Sequence, residues 1–424
     1  MEFLRDLRGF RRTPIRDELV NAIDYAFVKN LPEQRVLSFL SQSKALEIEG
    51  KLVVIGFGKA GRGMYEGARK FFADRISTAT IIIPAQAKEE LEHPFFQGNH
   101  PFPSKESIKS SRLLIDSLRN LEREDLVLVL ISGGGSSLFE IPRKGIKLEK
   151  YNRTINCMME NGANIEEMNA VRFLFSSTKG GGLLNFTYPA RVLSLIISDV
   201  PGDSESVVAS GPTSPPQKQT LIRKTLVKYG QCGDVPHVSR EKPVRSYKAD
   251  NNVILKNSDF VRAIHERLVK KGFASANMGS GIVGDTDLVA KDFVNKMRSF
   301  HKKEKKPIFV VGGGETSTRF TGNGIGGRNL ELTLKVLLLM KKNEEFAFGS
   351  IGTDGQDGTS GAMGAIVDND TLKSLDKEFI INKLSKSESL EPLKSTKDVL
   401  FTGPTGTNVA DIFVGYYAGI RRKR

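Results

Sequence analysis

Six short stretches of the chain join glycine to side chains that handle anions. Gly56-Phe57-Gly58-Lys59-Ala60-Gly61 fits G-x-G-x-x-G behind the apolar run Leu52 to Ile55. A turn of this kind brings backbone amides up to a phosphate, and Lys59 adds a cation inside it. Ser132-Gly133-Gly134-Gly135-Ser136-Ser137 follows Leu126 to Ile131 and reads as a nest of amides for a carboxylate or phosphate. Lys179-Gly180-Gly181-Gly182 is the third, and Gly312-Gly313-Gly314-Glu315-Thr316-Ser317 repeats the theme with a carboxylate. Gly326-Gly327-Arg328-Asn329-Leu330-Glu331 opens a helix and sets a guanidinium where a phosphate can dock at two points. Gly403-Pro404-Thr405-Gly406-Thr407-Asn408 is the sixth.

Carboxylates accompany these turns. Asp199 and Asp203 follow the apolar run Val192 to Ile197, and Asp354 and Asp357 follow Ala347 to Ile351. Aspartates at strand ends suit a hard divalent cation shared with substrate phosphates, or equally a helix cap or Asx turn. With no G-x-x-x-x-G-K-[ST], no H-R-D and no D-F-G, the chain is neither a P-loop enzyme nor a protein kinase. The remaining set still supplies what phosphoryl transfer needs: positioning, neutralised charge and a metal. A nicotinamide enzyme stays open on the G-x-G-x-x-G. Its ribose-binding acid is missing, however, because the strand Thr80 to Ile83 runs into Pro84-Ala85-Gln86-Ala87-Lys88. His100, in Gly98-Asn99-His100-Pro101, reads as part of a structural turn.

The elements that must carry these turns alternate short apolar runs with amphipathic stretches, the pattern of βαβ units. Residues 14–46 read as helix with a break at Leu31-Pro32. Strands follow at Leu52 to Ile55, Thr80 to Ile83, Leu126 to Ile131 and Val192 to Ile197. Helices lie at Gly61 to Phe72, Ser104 to Asn120, Ile146 to Met159 and Thr220 to Tyr229. The polar stretch Gln231 to Asn252 reads as a linker. Beyond it, strands at Val253 to Leu255, Ile308 to Val311, Ala347 to Ile351 and Val399 to Phe401, with helices at Phe260 to Gly272 and Asp287 to Arg298, make a second α/β domain. The division expected is 1–240 and 241–424.

Composition agrees with two soluble α/β domains: 424 residues, 39% hydrophobic and 26% charged. The 41 glycines are about a tenth of the chain, above the usual ~7%. The net charge of +14 suits either nucleic acid or an enzyme of anionic substrates. The basic residues Arg5, Arg8, Arg11, Arg12, Arg16, Lys302 to Lys306 and Arg421 to Arg424 have no interleaved aromatics and read as solvated faces. Cys157 and Cys232, outside any C-x-x-C, read as indifferent thiols. No apolar run nears the ~18 residues of a membrane span, and the charged start lacks a secretory signal, so a cytoplasmic address is expected.

In order along residues 50–412, these motifs resemble the type-2 glycerate kinases. The likeness runs through Ile55 to Gly61, Ile131 to Leu138, Ser198 to Asp203 leading to Ala209-Ser210-Gly211-Pro212-Thr213, then Gly313 to Thr316, Gly326 to Asn329 with Glu331, Gly352 to Gly355 with Asp357, and Gly403 to Val409. The resemblance implies a large Rossmann-like doubly wound domain, a smaller C-terminal α/β domain of MOFRL type, and an active site in the cleft. It implies ATP-dependent phosphorylation of D-glycerate to 2-phosphoglycerate with Mg2+ or another divalent cation, although relatives also carry the label hydroxypyruvate reductase. On this reading Lys59 and Arg328 neutralise the transferred phosphoryl group and Asp199 takes the hydroxyl proton or holds the metal. Asp203 and Asp354 join it as metal ligands. Gly58, Ser132, Gly133, Gly134, Gly135, Ser136, Ser137, Lys179, Gly314, Glu315, Thr316, Asn329, Glu331, Thr405 and Asn408 contact substrate or nucleotide. The partners implied are glycerate and a nucleotide, without nucleic acid or membrane, and a homodimer is left open. Two departures stand out: Phe173-Leu174-Phe175 where the family tends to place Lys-His and Leu after Val-Arg, and Gly361 where it usually has an acid.

Overall fold

The computed structural model of the chain describes residues 10–43, 47–85, 92–215, 218–233, 249–319 and 322–420. They divide into two compact units. One is Pro32–Leu255; the other joins the chain up to Leu31 to the chain from Lys256 onward.

The 32–255 unit is built on six parallel strands: β1 (Leu52–Phe57), β2 (Ile76–Pro84), β3 (Phe95–Gly98), β4 (Leu126–Ile131), β5 (Arg191–Ile197) and β6 (Asp250–Leu255). Every residue of β1 and β4 is buried, which is why both read as unbroken apolar runs rather than alternating ones. The order β3-β2-β1-β4-β5-β6 is that of the doubly wound dinucleotide fold, and the direction of winding reverses between β1 and β4. In such sheets ligands bind at that reversal, beyond the carboxyl ends of the strands. The helices are α2 (Pro32–Gln42), α3 (Gly61–Phe72), α4 (Lys105–Asp116), α5 (Gly135–Leu138), α6 (Leu148–Glu160), α7 (Ile165–Phe175), α8 (Leu184–Thr187) and α9 (Gln219–Lys228). They follow α1 (Pro14–Lys29), which belongs to the other unit.

The second unit has a mixed sheet. Its strands are β7 (Ala274–Asn277), β8 (Ile282–Asp285), β9 (Ile308–Ser317), β10 (Glu344–Gly352), β11 (Gly364–Asp368), β12 (Val399–Leu400) and β13 (Asp411–Ile420), in the order β12-β11-β10-β13-β9-β7 with β8 also on β9. Only β7 and β8 run parallel to β9; the other pairings are antiparallel. Its helices are α10 (Asn257–Lys270), α11 (Thr286–Glu304), α12 (Arg328–Leu339) and α13 (Asn369–Ser374), among others. Phe293, Met297, Leu334, Phe348 and Phe413 share its core. Helix α1 packs on α10 through an edge-to-face contact of Phe27 with Phe260, centroids 5.1 Å apart.

Three expectations change. Val253 to Leu255 is not the start of a second domain: as part of β6 it pairs in parallel with β5, Val253 facing Ile196 and Leu255 facing Ile197. The expected division at 240/241 falls within 234–248, part of the linker reading and outside the described residues. Of the basic residues read as solvated, Arg16 is fully buried, with Nε 2.7 Å from Asp368 and Nη1 2.7 Å from Asp398, while Arg11 also reaches Asp398 at 3.0 Å. Lys302 to Lys306 are exposed as expected, and Arg5, Arg8 and Arg421 to Arg424 lie outside the described residues. Finally, Cys157 and Cys232 are joined as a disulfide, Cα atoms 5.5 Å apart. The end of α6 and the turn after α9 meet over a shared cluster that includes Tyr151, Ile155, Phe175 and Tyr229, a proximity that spacing in the chain does not reveal.

Candidate functional site

At the reversal between β1 and β4 the first two glycine turns are stitched together. The Lys59 amide donates to Gly133 O at 2.9 Å, the Ala60 amide to Ser132 Oγ at 3.0 Å, and the Ser132 amide to Phe57 O at 3.2 Å. Gly58 is obligatory: at φ 130° it lies against Ser132, whose Oγ would be 2.1 Å from an added Cβ. Gly134, at φ 82°, has Lys59 and His100 over it; an added Cβ would stand 3.4 Å from Lys59 Cγ and 3.2 Å from His100 Cδ2. Lys59, His100, Ser132, Gly133 and Gly134 therefore come together. Asp199 and Asp203 sit just beyond the carboxyl end of β5, Asp203 in a left-handed conformation at φ 53°.

Part of the expected amide nest is committed within the turn. The amides of Gly135, Ser137 and Leu138 are spent on the carbonyls of Ser132, Gly134 and Gly134. Beside it runs a chain of polar side chains that is partly exposed at Ser136 and buried at Ser210 and Asn169. Ser136 Oγ is 2.8 Å from Ser210 Oγ, Ser210 donates to Asn169 Oδ1 at 2.8 Å, and Arg172 Nη1 donates to the same oxygen at 3.2 Å. Lys179, expected to touch a ligand, is fully buried, its Nζ 2.5 Å from Phe139 O and 3.5 Å from Gly135 O. Its ammonium supports the carboxyl end of α5 from inside. Burial lowers its pKa to about 8 against the opposing pull of Glu140, which burial in turn pushes up.

In the second unit Arg328 opens α12 and grips Asp411, Nε to Oδ2 at 2.6 Å and Nη2 to Oδ1 at 3.0 Å, with Nη1 3.1 Å from Glu315. Asp357 accepts the first amides of α12, from Asn329 at 3.0 Å and Leu330 at 2.9 Å. Asn329 also donates its side-chain amide to Asp411 at 3.1 Å and accepts Ser350 Oγ at 2.5 Å. Burial raises the Asp357 pKa to about 6 despite those two amides. Glu331 is taken up by Thr286 at 2.5 Å, Lys335 at 2.8 Å and Thr318. Thr405 hydrogen-bonds the Thr353 carbonyl at 2.5 Å, Asp354 closes its own turn onto the Gln356 amide at 3.0 Å, and Asn408 accepts the Ala410 amide at 3.3 Å.

One further expectation changes here. Gly312 to Gly314 are not a strand-end nest but lie inside β9, paired with Phe413, Ile412 and Asp411. Gly314 and the buried Thr316 are thus ladder residues; β8 runs so close that a Cβ on Gly314 would meet Ile282 O at 1.9 Å. Among the described residues no group of three or more His, Cys, Asp or Glu is arranged to hold an ion; Asp199 and Asp203 belong to the 32–255 unit and Asp354 to the other. Asn169, Arg172, Ser210 and Asp411 were absent from the sequence-derived site. Ser210 lies inside and Asp411 just beyond stretches that carried the resemblance, Ala209 to Thr213 and Gly403 to Val409, while Arg172 opens the stretch that departs from the family pattern.

The fold and these turns define a two-domain protein with a doubly wound nucleotide-type sheet and a mixed α/β partner. A domain profile described as "Domain of unknown function (DUF4147)" matches residues 18–241, and the MOFRL family profile matches 308–411. Glycerate 2-kinase of Picrophilus torridus is 36% identical over 96% of this chain and 97% of its own. D-glycerate 2-kinase of Thermotoga maritima is 34% identical over 86% and 90%. The crystal structure of a glycerate kinase from Thermotoga maritima superposes with a TM-score of 0.82 at 29% identity, covering 95% of this chain and 99% of that one. The chain belongs to the type-2 glycerate kinase family.

Proposed function

We propose that this protein transfers the γ-phosphoryl group of ATP to the 2-hydroxyl of D-glycerate, giving 2-phosphoglycerate. The observation that carries the reading is likeness to glycerate 2-kinases along nearly the whole length of both chains. The site agrees with it. A loose phosphoryl transition state asks for positioning and charge neutralisation more than for a strong base. Lys59, over Gly134 at the sheet reversal, supplies a cation there. Asp199, beyond β5, is the acceptor of the hydroxyl proton. In its own unit Arg328 is an anion-binding residue whose plane is set in advance by Asp411; the half-exposed Glu315 is the partner an incoming phosphate displaces. The divalent cation that phosphoryl transfer calls for would add charge neutralisation, with Asp199 and Asp203 beyond β5 and Asp354 in the other unit as its candidate ligands.

A screen of hydroxy acids with ATP and magnesium, with products identified by NMR, tests the reading. 2-Phosphoglycerate from D-glycerate is the expected product. NADH or NADPH oxidation by hydroxypyruvate without phosphoryl transfer overturns it; the strand order favours that rival, but β2 ends at Pro84 with no acid there or at Ala85.

A further inference from the structure

The polar chain behind Ser136 ends in a guanidinium that nothing in the proposed phosphoryl transfer uses. Arg172, in the last turn of α7, is half-buried, and among the described residues no carboxylate lies within ion-pair distance of it. The carboxylate it senses is Glu140, which is fully buried and already opposed by Lys179. The titratable groups facing one another here are therefore Glu140, Tyr151, Lys179 and Arg172: two cations to one carboxylate. Lys179 is committed to the carbonyls of Phe139 and Gly135, so the surplus charge is Arg172.

Its surroundings are built to hold it in place. Asn169 is 2% exposed and donates Nδ2 to Val207 O at 3.0 Å, which turns Oδ1 toward both Arg172 and Ser210. Ser210 and Ala209 before it are left-handed, at φ 62° and 51°, conformations that cost energy in non-glycine residues and gather at binding sites. The strain places the Ser210 hydroxyl against Ser136, and a Cβ on Gly135 would come 2.8 Å from Ala209 Cβ, so this loop and the glycine turn fit only with glycine there.

We propose that Arg172, with the hydroxyls of Ser136 and Ser210, forms the subsite that takes the carboxylate of the acceptor. A planar guanidinium matches a carboxylate at two points, and serine hydroxyls rotate to donate to its second lone pairs. The inference deepens the kinase reading and rests on it for the identity of the acceptor.

The test compares D-glycerate with its uncharged methyl ester in wild type, Arg172→Met and Arg172→Lys. Arg172→Met raises the KM for D-glycerate about 10- to 100-fold, the range for losing a hydrogen-bonded charge, leaves the KM for ATP within about twofold, and costs the ester several-fold less than the acid. Arg172→Lys falls between. An unchanged KM for glycerate, an equal loss on acid and ester, or a rise confined to ATP overturns the proposal. Thermal unfolding of each variant controls for folding; if Arg172→Met does not fold, Ser210→Ala, which keeps the guanidinium, carries the same comparison with a several-fold rise expected. Should the wild type leave glycerate unphosphorylated, the kinase reading falls alone. NMR titration of D-glycerate then decides the subsite: weaker binding to Arg172→Met supports it and equal binding overturns it.

Discussion

The guanidinium of Arg328 holds the carboxylate of Asp411 at two points, 2.6 and 3.0 Å, and that carboxylate is wholly buried. Arg328→Met strands Asp411 with Asn329 as its remaining side-chain donor, and the expected loss is about 3 kcal/mol or more, read from urea unfolding midpoints. Arg328→Lys retains the charge but not the fork, and is expected to recover only part of that loss.

Asp357 gives a pH signature of opposite sign to the usual aspartate. Burial raises its folded pKa to about 6, while the unfolded chain titrates near the ordinary ~3.9. Between those values the unfolded state has released the proton and the folded state has not, so stability from this group falls as pH rises from ~4 to 6. The stability of wild type relative to Asp357→Asn should decline across that window; a flat difference contradicts the assignment.

Lys179 should set an alkaline limb of activity near pH 8. Its ammonium supports the turn that carries Ser136, and above about pH 8 it becomes a neutral amine. Loss of stability is not the cause, because between 8 and the ordinary value of 10.5 the unfolded chain binds more protons and this group's contribution rises with pH. Lys179→Met should lower kcat/KM about 10- to 100-fold and abolish the limb.

Arg16 fastens α1 to its unit from the inside. Arg16→Met leaves Asp368 and Asp398 buried with, among the described residues, Arg11 as the remaining cation in ion-pair distance, for an expected loss of about 3–5 kcal/mol. The Arg16 hydrogen bond and charge hold the Asp368 carboxyl below its ordinary range against the raising effect of burial, so this stabilisation is present at neutral pH and is lost in acid. Chemical unfolding at pH 7 and pH 3 should show the gap between wild type and variant closing.

Lys59→Ala should lower kcat by about 10³-fold or more while leaving the unfolding midpoint unchanged, since its aliphatic chain lies over Gly134 rather than in the core. Near-normal turnover would remove Lys59 from the mechanism.

Much of the 32–255 unit was legible in the sequence. The bounds of α3, the break between α1 and α2, and the runs of β1 and β4 follow from local apolar period and proline. The mixed sheet was harder. β13 lies at its centre, yet Asp411–Ile420 owes that place to antiparallel partners far away along the chain, and its glycines weaken any strand signal. Likewise, glycine clustering flagged the turns after β1 and β4 correctly, but could not separate a turn from Gly312 to Gly314, where glycine admits a neighbouring strand instead. Arg16, Lys179 and Cys157 were misread because burial and partnership are properties of the folded chain.

The attachment of α1 to residues at the other end of the chain sets an order of events during synthesis. Arg16 finds Asp368 and Asp398 only 352 and 382 residues later, an interval of roughly 20–80 s at the usual ~5–20 residues per second on the ribosome. Residues 32–255 form a compact unit that emerges and can fold in the meantime, and the first helix meets α10 soon after it, but the buried cluster around Arg16 closes only once Asp398 has left the exit tunnel.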